Sequence, residues 1–199
     1  FEAARQTYAK FLQDKGLSTA NVLFHQVGQF VTGPALERLV IAGNYLAIMG
    51  EDVSRGGGYF AMPIPLSQKQ ADVLRFRTVD LDGNGTQEIM VVVKQPGTQG
   101  LDRDLLFVLR YGDKGGFEAL LAHEVAKRQP GCELTNVYTL VPRKPRGFEL
   151  EMKVGLNTGW TKDSFHPSGG DRVEGLLVPW EGAQQKVFLF SESGVTEKV

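Results

Sequence analysis

The sequence predicts a mostly β protein, in which antiparallel sheets of about ten short strands follow one N-terminal helix. Two observations favour this class. Glycine accounts for 24 of the 199 residues and proline for nine, and turn residues at this density are typical of short strands joined by tight loops. Beyond residue 16 no long segment has helical periodicity, whereas apolar runs of strand length recur between turn residues. The arrangements open to such strands are propeller blades, a sandwich or a barrel.

The helix is predicted over Glu2–Asp14. Its apolar residues recur at three- and four-residue spacing, which places them on one face, and Gly16 is a suitable residue at which to end it. Residues 1–16 are therefore assigned to an N-terminal helix and residues 21–199 to one β-rich domain. The strands predicted in that domain are Leu36–Gly43, Tyr45–Met49, Tyr59–Ile64, Val73–Val79, Ile89–Val93, Leu105–Tyr111, Phe117–His123, Val137–Val141, Phe148–Val154, Leu176–Val178 and Lys186–Phe190.

Two neighbouring strands differ in their patterns. In Val73–Val79 apolar residues and threonine alternate with arginines, which is typical of a strand with one face buried. Ile89–Val93 is apolar throughout and rich in valine, as in a strand that is covered on both faces. The glycine-rich segment between them is therefore expected to be a loop that joins an outer strand to a central one.

That loop, residues 80–88, reads Asp-Leu-Asp-Gly-Asn-Gly-Thr-Gln-Glu. Its three carboxylates repel one another unless a cation offsets their charge. Ca²⁺ takes six to eight oxygen ligands in flexible geometry, whereas Mg²⁺ demands a tighter octahedron, so calcium is the predicted ion. Asp, Asn and Gly also form turns without metal, and an empty turn is the alternative. The predicted donors are the side chains of Asp80, Asp82, Asn84 and Glu88 and the backbone carbonyl of Thr86.

The first six residues of the loop also fit the start of an EF-hand. An EF-hand requires a glutamate at its twelfth position and a helix on each side. The twelfth position is Val91, and both flanking segments are predicted strands. The sequence therefore excludes an EF-hand.

A strand, the pattern D-x-D-G-N-G-x-x-E and a valine-rich strand resemble the calcium loop of FG-GAP and VCBS repeats, which occur in integrin α-chain propellers and in many secreted bacterial proteins. The similarity covers residues 76–93. It implies the same ligand set, with the fourth ligand a carbonyl. Glu88 departs from the aspartate that is more usual at the last position. Since family propellers have several blades and this chain is too short for them, the resemblance implies the loop and its hairpin, not the whole fold.

A second, degenerate copy of this repeat is predicted at Val31–Ala42, where a glycine, a glutamate and an apolar strand recur. In that alignment Thr32 and Pro34 stand where the acidic ligands would be. This copy is therefore not expected to bind metal.

The remaining candidate residues are assigned structural roles. Cys132 is alone, so no disulfide forms within the chain, and we expect a small core or loop residue. The segment His123–Lys127 lacks the second histidine of a zinc-protease helix.

The basic run Arg143–Arg146 is expected at a solvated hairpin tip, and the glycine run at 56–58 in a turn. Trp160, in a polar loop, is the aromatic residue most expected to be exposed.

Composition and charge argue against binding to nucleic acid and against a membrane-spanning helix. Lys and Arg total 22 against 23 Asp and Glu, so the chain lacks the broad positive field that binding to nucleic acid requires. No apolar stretch reaches the roughly 20 residues of a membrane-spanning helix. Because the first residue is Phe1 and not Met, we expect that a preceding segment was removed or left out.

We therefore expect a non-enzymatic, calcium-stabilised domain that works outside the cytoplasm: secreted, periplasmic or at the cell surface. Extracellular calcium modules bind calcium with dissociation constants of about 10⁻⁴ to 10⁻³ M. Only the calcium concentration outside the cytoplasm is high enough to occupy a site of that affinity. The expected partner is another protein, in an envelope or cell-surface assembly. Two alternatives stay open: a carbohydrate-binding module, favoured if Trp160 and Trp180 are exposed on one face, and a hydrolase whose site the sequence does not reveal.

Overall fold

The computed structural model describes residues 2–51, 53, 58–169 and 171–198. The predicted glycine turn at 56–58 lies outside this part except for Gly58. Within it, the helix α1 is Glu2–Asp14. Twelve strands follow: β1 Val22–Gly28, β2 Glu37–Ala42, β3 Tyr45–Gly50, β4 Gly58–Pro63, β5 Val73–Val79, β6 Glu88–Pro96, β7 Asp102–Gly112, β8 Gly116–Gln129, β9 Cys132–Pro142, β10 Phe148–Thr158, β11 Gln185–Ser191 and β12 Gly194–Lys198.

The strands form two antiparallel sheets in sequence order. Strands β1–β4 make a four-stranded sheet, and β5–β12 make an eight-stranded one. Both sheets are open at their ends, so the described strands do not close into a barrel. The predicted class, mostly β with an N-terminal helix, is confirmed. Among the described residues, no helix is long and apolar enough to cross a membrane.

Two hydrophobic clusters show that the sheets pack as three layers. The first cluster joins β2 and β3 to one face of β6 and β7, through residues such as Leu39 and Val91. The second joins the opposite face of β6 and β7 to β10 and β11, through residues such as Val92 and Leu150. Because β8 and β9 pair over only a short segment, 126–129 with 132–135, the eight-stranded sheet folds over there and packs against itself. Strands β6 and β7 therefore lie in the middle layer.

This middle position accounts for the apolar run at Ile89–Val93. All five residues are buried, and successive side chains of a strand point to opposite faces. Ile89, Val91 and Val93 belong to the first cluster, and Met90 and Val92 to the second. The expectation of a strand covered on both faces is confirmed.

Helix α1 covers the outer face of the four-stranded sheet. Phe11 and Leu12 are buried against β2 and β3, where they contact a cluster that includes Val40 and Met49. The periodic spacing of apolar residues that predicts the helix thus also identifies the face of the helix that packs against the sheet.

The first two layers repeat one local design at a distance of 51 residues. A 3₁₀ turn precedes β1 at Thr19–Asn21 and β5 at Gln70–Asp72. Both strands have seven residues, and both pair with the following strand through a bulge at their first positions. In this register the loop at 80–88 corresponds to residues 29–37. The structure shows a local repeat of this hairpin, and whether it is a degenerate FG-GAP copy stays a prediction. Val31 and Gly33, not Thr32 and Pro34, occupy the places of Asp82 and Asn84.

The structure differs from the predictions at two strands, one segment and one tryptophan. Strands β1 and β12 were not predicted, because both are partly exposed strands with polar residues among the apolar ones. Residues 176–178 are not a strand, since the Asn136 side chain takes the place of a strand partner: its Oδ1 accepts from Leu177 N at 2.8 Å, and its Nδ2 donates to Leu177 O at 2.9 Å. Trp160, predicted to be exposed, lies in the loop that follows β10 and is buried, 6% exposed, in a cluster with Leu134 and Val178.

Candidate metal centre

The loop at 80–88 is held between two paired strands. Strand β5 ends at Val79 and β6 begins at Glu88, and these two residues are paired across the strands. Leu81 is fully buried in the second hydrophobic cluster, which anchors the beginning of the loop. The side chains on either side of Leu81 are those of Asp80 and Asp82, so the anchor also fixes the two aspartates.

The structure brings three of the five predicted ligands together. One carboxylate oxygen from each of Asp80, Asp82 and Glu88 lies within 4.8 Å of the other two. Glu88 is fully buried, and the side chain of Asp82 is only 3% exposed. Three hard oxygen donors at this separation can hold a metal ion between them.

Glu88 has one oxygen in use and one free. Its Oε2 accepts a hydrogen bond from Leu81 N at 2.8 Å. Its Oε1 is buried and has no hydrogen-bond partner among the described residues. Burial is the largest influence on this carboxyl, and with the nearby aspartates it raises the pKa of Glu88 to about 7. A buried carboxylate oxygen without a partner is costly unless a cation or a proton satisfies it.

The remaining loop contacts organise the turn. Asp80 accepts from Gly83 N at 2.7 Å and from Gly85 N at 3.0 Å. Asp82 Oδ1 accepts from Asn84 N at 3.0 Å, and Asn84 Oδ1 accepts from Thr86 N at 2.7 Å. These bonds hold the acidic side chains in place before any ion binds, and each oxygen retains a further lone pair. The same bonds are those of an unaided turn.

The positions of Asn84 and Thr86 differ from those of the three acids. Asn84 is exposed and Thr86 half-buried. Asn84 Nδ2 lies 3.1 Å from Asp82 Oδ2, so the amide stands at the border of the acidic group. The structure therefore places Asn84 beside the triad and leaves the role of the Thr86 carbonyl a prediction.

Arg110 on β7 is a neighbour that sequence reasoning missed. Its Nη1 lies 3.8 Å from Asp82 Oδ2. Its other N–H groups donate to Glu118 and to the carbonyl oxygens of Ser191 and Glu192. One guanidinium that is shared in this way does not offset three ionised carboxylates, so the site retains a net negative charge. Burial is also the main cause of the raised pKa of Asp82.

In the corresponding loop at 29–37, a glutamine amide takes the place of an aspartate carboxylate. Gln29 stands in the place of Asp80, and its Nε2 is directed at three carbonyl oxygens, those of Val31, Gly33 and Ala35. Glu37 stands in the place of Glu88; it is fully buried, and its Oε2 accepts from Phe30 N at 2.8 Å and from Val31 N at 3.0 Å. An amide N–H group therefore fills this loop, whereas in the loop at 80–88 the same position is taken by Asp80, whose carboxylate only accepts hydrogen bonds.

The basic run at 143–146 lies against the loop at 80–88. Lys144, Pro145 and Arg146 are exposed, as expected for a hairpin tip. Arg143, however, donates to the carbonyl oxygen of Asp82 at 3.1 Å, and Phe148 N donates to Leu81 O at 2.8 Å. The tip between β9 and β10 therefore supports the loop, a contact for which the sequence has no signal.

The histidines and the cysteine form no second metal centre among the described residues. His123 is fully buried, and its Nδ1 lies 2.8 Å from the carbonyl oxygen of Glu124. A buried polar cluster nearby was not expected: Arg103 pairs with Glu124 at 3.4 Å and with Asp171, and Lys127 donates to Ser168. These contacts tie the long segment between β10 and β11 to β7 and β8, which is a structural role.

Comparison with known proteins identifies no related family, protein or structure. No protein-family model, curated protein or solved structure matches the chain.

Proposed function

We propose that this chain is a non-enzymatic, calcium-stabilised β domain that works outside the cytoplasm as a binding or assembly module for another protein. The observation that carries the proposal is the free, buried Oε1 of Glu88 beside the carboxylates of Asp80 and Asp82. A divalent cation supplies that oxygen with a partner and offsets the repulsion among the three acids. The resemblance of the loop to FG-GAP and VCBS repeats supports the same ion.

Calcium is favoured over magnesium by the flexibility of the donor set. Three carboxylates, an amide and a backbone carbonyl from one short loop, together with water, form an irregular shell of six or more oxygens, which Ca²⁺ accepts and Mg²⁺ does not. An ion bound with a dissociation constant of about 10⁻⁴ to 10⁻³ M is a structural component only where calcium is abundant. The proposed extracytoplasmic location follows from that affinity.

A carbohydrate-binding role is less favoured. Trp160 is buried and packs edge-on against Phe165, with ring centroids 5.5 Å apart. A ring in that position offers no open face on which a sugar can stack.

Thermal unfolding with calcium and with chelator tests the proposal. We expect calcium to raise the melting temperature of the wild type, since tenfold excess over the dissociation constant adds about 1.4 kcal/mol to stability. Asp82→Ala should lose this response. Asp163→Ala, which removes an exposed aspartate from a distant loop, should retain it.

A wild type that melts at the same temperature with calcium and with chelator, and that shows no heat of binding in a calcium titration, would overturn the proposal. The loop would then be an empty turn. A larger response to magnesium than to calcium would change the identity of the ion.

A further inference from the structure

A groove runs along the free edge of strand β5. This strand is the last of the eight-stranded sheet, so only one of its edges is paired, with β6. The groove has a volume of about 380 Å³ and is lined by four consecutive residues of β5, 74–77, with Met90, Val92 and Tyr138. None of the proposed calcium ligands contributes to it. Because the groove follows four consecutive residues of one strand, it suits a ligand chain in extended conformation.

Two arginines give this groove its charge. Arg75 and Arg77 are exposed, and because side chains alternate along a strand they point to the same face. Neither forms a hydrogen bond or an ion pair with any described residue, whereas Arg103, Arg110 and Arg128 each pair with carboxylates. No acidic residue lines the groove, so its positive charge is not offset locally.

The rest of the groove is apolar and aromatic. Arg75 lies opposite Val92 and Arg77 opposite Met90 in the strand pairing, and both partners are buried. Tyr138 of β9 faces the arginines: burial raises the pKa of its phenol, and the two guanidinium groups oppose that shift. A ligand in the groove therefore meets two cations, a phenol and an apolar floor.

We propose that this groove binds an extended acidic segment of a partner protein, which pairs with the free edge of β5 and places carboxylates on alternate residues against Arg75 and Arg77. Strand addition uses the unpaired backbone groups of an edge strand, and the side-chain period of two matches the spacing of the arginines. Arginine binds carboxylates through paired, charge-assisted hydrogen bonds. The inference rests on the proposed function in treating the chain as a protein-binding module.

An acidic peptide fits this surface better than a nucleic acid does. Two arginines on one strand contact few phosphates, and the net charge of the chain is −1. Binding to a polyanionic backbone draws most of its affinity from many such contacts. Charged residues on an edge strand also prevent accidental pairing between molecules, and the binding experiment separates that role from recognition.

The test is fluorescence anisotropy with a labelled peptide in which glutamate alternates with valine, measured in chelator and in calcium. We expect binding to the wild type, and about a tenfold or greater increase in Kd for the double variant Arg75→Gln/Arg77→Gln, which corresponds to about 1.4 kcal/mol. Arg5→Gln, which removes an exposed arginine of α1, should bind as the wild type does. A peptide with lysine in place of glutamate should not bind.

Three outcomes would overturn the inference: no binding of the acidic peptide, equal binding by the double variant, or tighter binding of a single-stranded oligonucleotide. A peptide with N-methylated backbone amides, tested on the unaltered protein, must also bind more weakly if strand pairing occurs. The double variant should keep its calcium-dependent melting. Loss of peptide binding by the double variant with its calcium response retained supports the groove independently of the calcium site. A wild type that responds to calcium but does not bind the peptide overturns the groove inference alone, whereas a wild type without a calcium response overturns the calcium site alone.

Discussion

Glu37 and Glu88 perform the same local task in two different surroundings. Each is fully buried at the first position of a strand, and each accepts a backbone N–H from the residue seven positions earlier. Each also has a second oxygen with no partner among the described residues. Glu37 has the Gln29 amide in its loop, whereas Glu88 has two aspartates. The glutamate therefore closes the loop in both copies, and the two aspartates beside Glu88, not its free oxygen alone, distinguish the second copy as a candidate cation site.

The pH dependence of calcium stabilisation tests this reading of Glu88. Its pKa rises from 4.5 to about 7 on folding without an ion, so the folded state binds more protons than the unfolded state between those values. Stability of the metal-free protein should thus fall by about 3 kcal/mol as the pH rises through this window. The proposed calcium ion would offset this loss, so the increase in melting temperature on adding calcium should be larger above pH 7 than near pH 5.

Glu88→Gln is the control, because it removes the proton competition and keeps the side-chain shape. Its calcium response should be weaker and almost independent of pH in this range. A wild type with the same calcium-induced shift on both sides of pH 7 would contradict the assignment of Glu88 as the competing group.

Substitution of Glu37 should damage the fold without any dependence on calcium. Glu37→Ala leaves the buried N–H group of Phe30 and the half-buried N–H group of Val31 without their acceptor, which should cost about 2–4 kcal/mol. Glu37→Gln retains an acceptor oxygen and should cost less than about 1 kcal/mol. Denaturant unfolding in calcium and in chelator measures both. Equal damage by the two substitutions would mean that the charge, and not the hydrogen bonds, matters.

The tip between β9 and β10 helps to fix the position of the loop at 80–88. A Cβ at Gly147 would stand 2.5 Å from Leu81 O and 3.0 Å from the carbonyl carbon of Asp82, at a φ of +83°. The close approach of these two backbones is therefore possible only with glycine. Any shift of the tip moves the backbone between Asp80 and Asp82.

Gly147→Ala should therefore weaken both stability and calcium binding. Gly131→Ala is the matched control, since Gly131 has a φ of +79° and no atom near its missing Cβ. Both variants pay about 1–2 kcal/mol for the left-handed backbone, and Gly147→Ala should lose roughly 1–3 kcal/mol more through overpacking. Denaturant unfolding and calcium titration measure the difference. Identical losses in the two variants would show that the tip does not support the loop.

The sequence predicts those elements whose signals are local. Ile89–Val93 is an apolar run of strand length, which by itself predicts a strand buried on both faces. The spacing of the acidic residues in the loop at 80–88 by itself predicts a set of metal ligands. Strand β1 is only partly buried and carries polar residues, so its pattern is weak. Trp160 stands in a polar segment, yet packing against Val178 and Phe165 buries it. Arg110 and Gly147 reach the site through tertiary contacts, which no spacing in the sequence records.

The repeated layers share one central pair of strands. Strands β6 and β7 contribute alternate side chains to a cluster on each face. A layer cannot separate from its neighbour without exposing a face of this pair. Repeats whose interfaces are so continuous are expected to unfold together, even though the local design recurs.

Truncations in the two clusters test this cooperativity. Leu39 lies in the cluster between the first and second layers and Leu150 in the cluster between the second and third, and both are fully buried. Leu39→Ala and Leu150→Ala should each reduce the free energy of unfolding by about 2–5 kcal/mol through the cavity that they leave. Because the layers share β6 and β7, each substitution should shift one common transition, seen alike by calorimetry and by circular dichroism. Two separate transitions, with each substitution moving only one, would show instead that the layers fold as independent units.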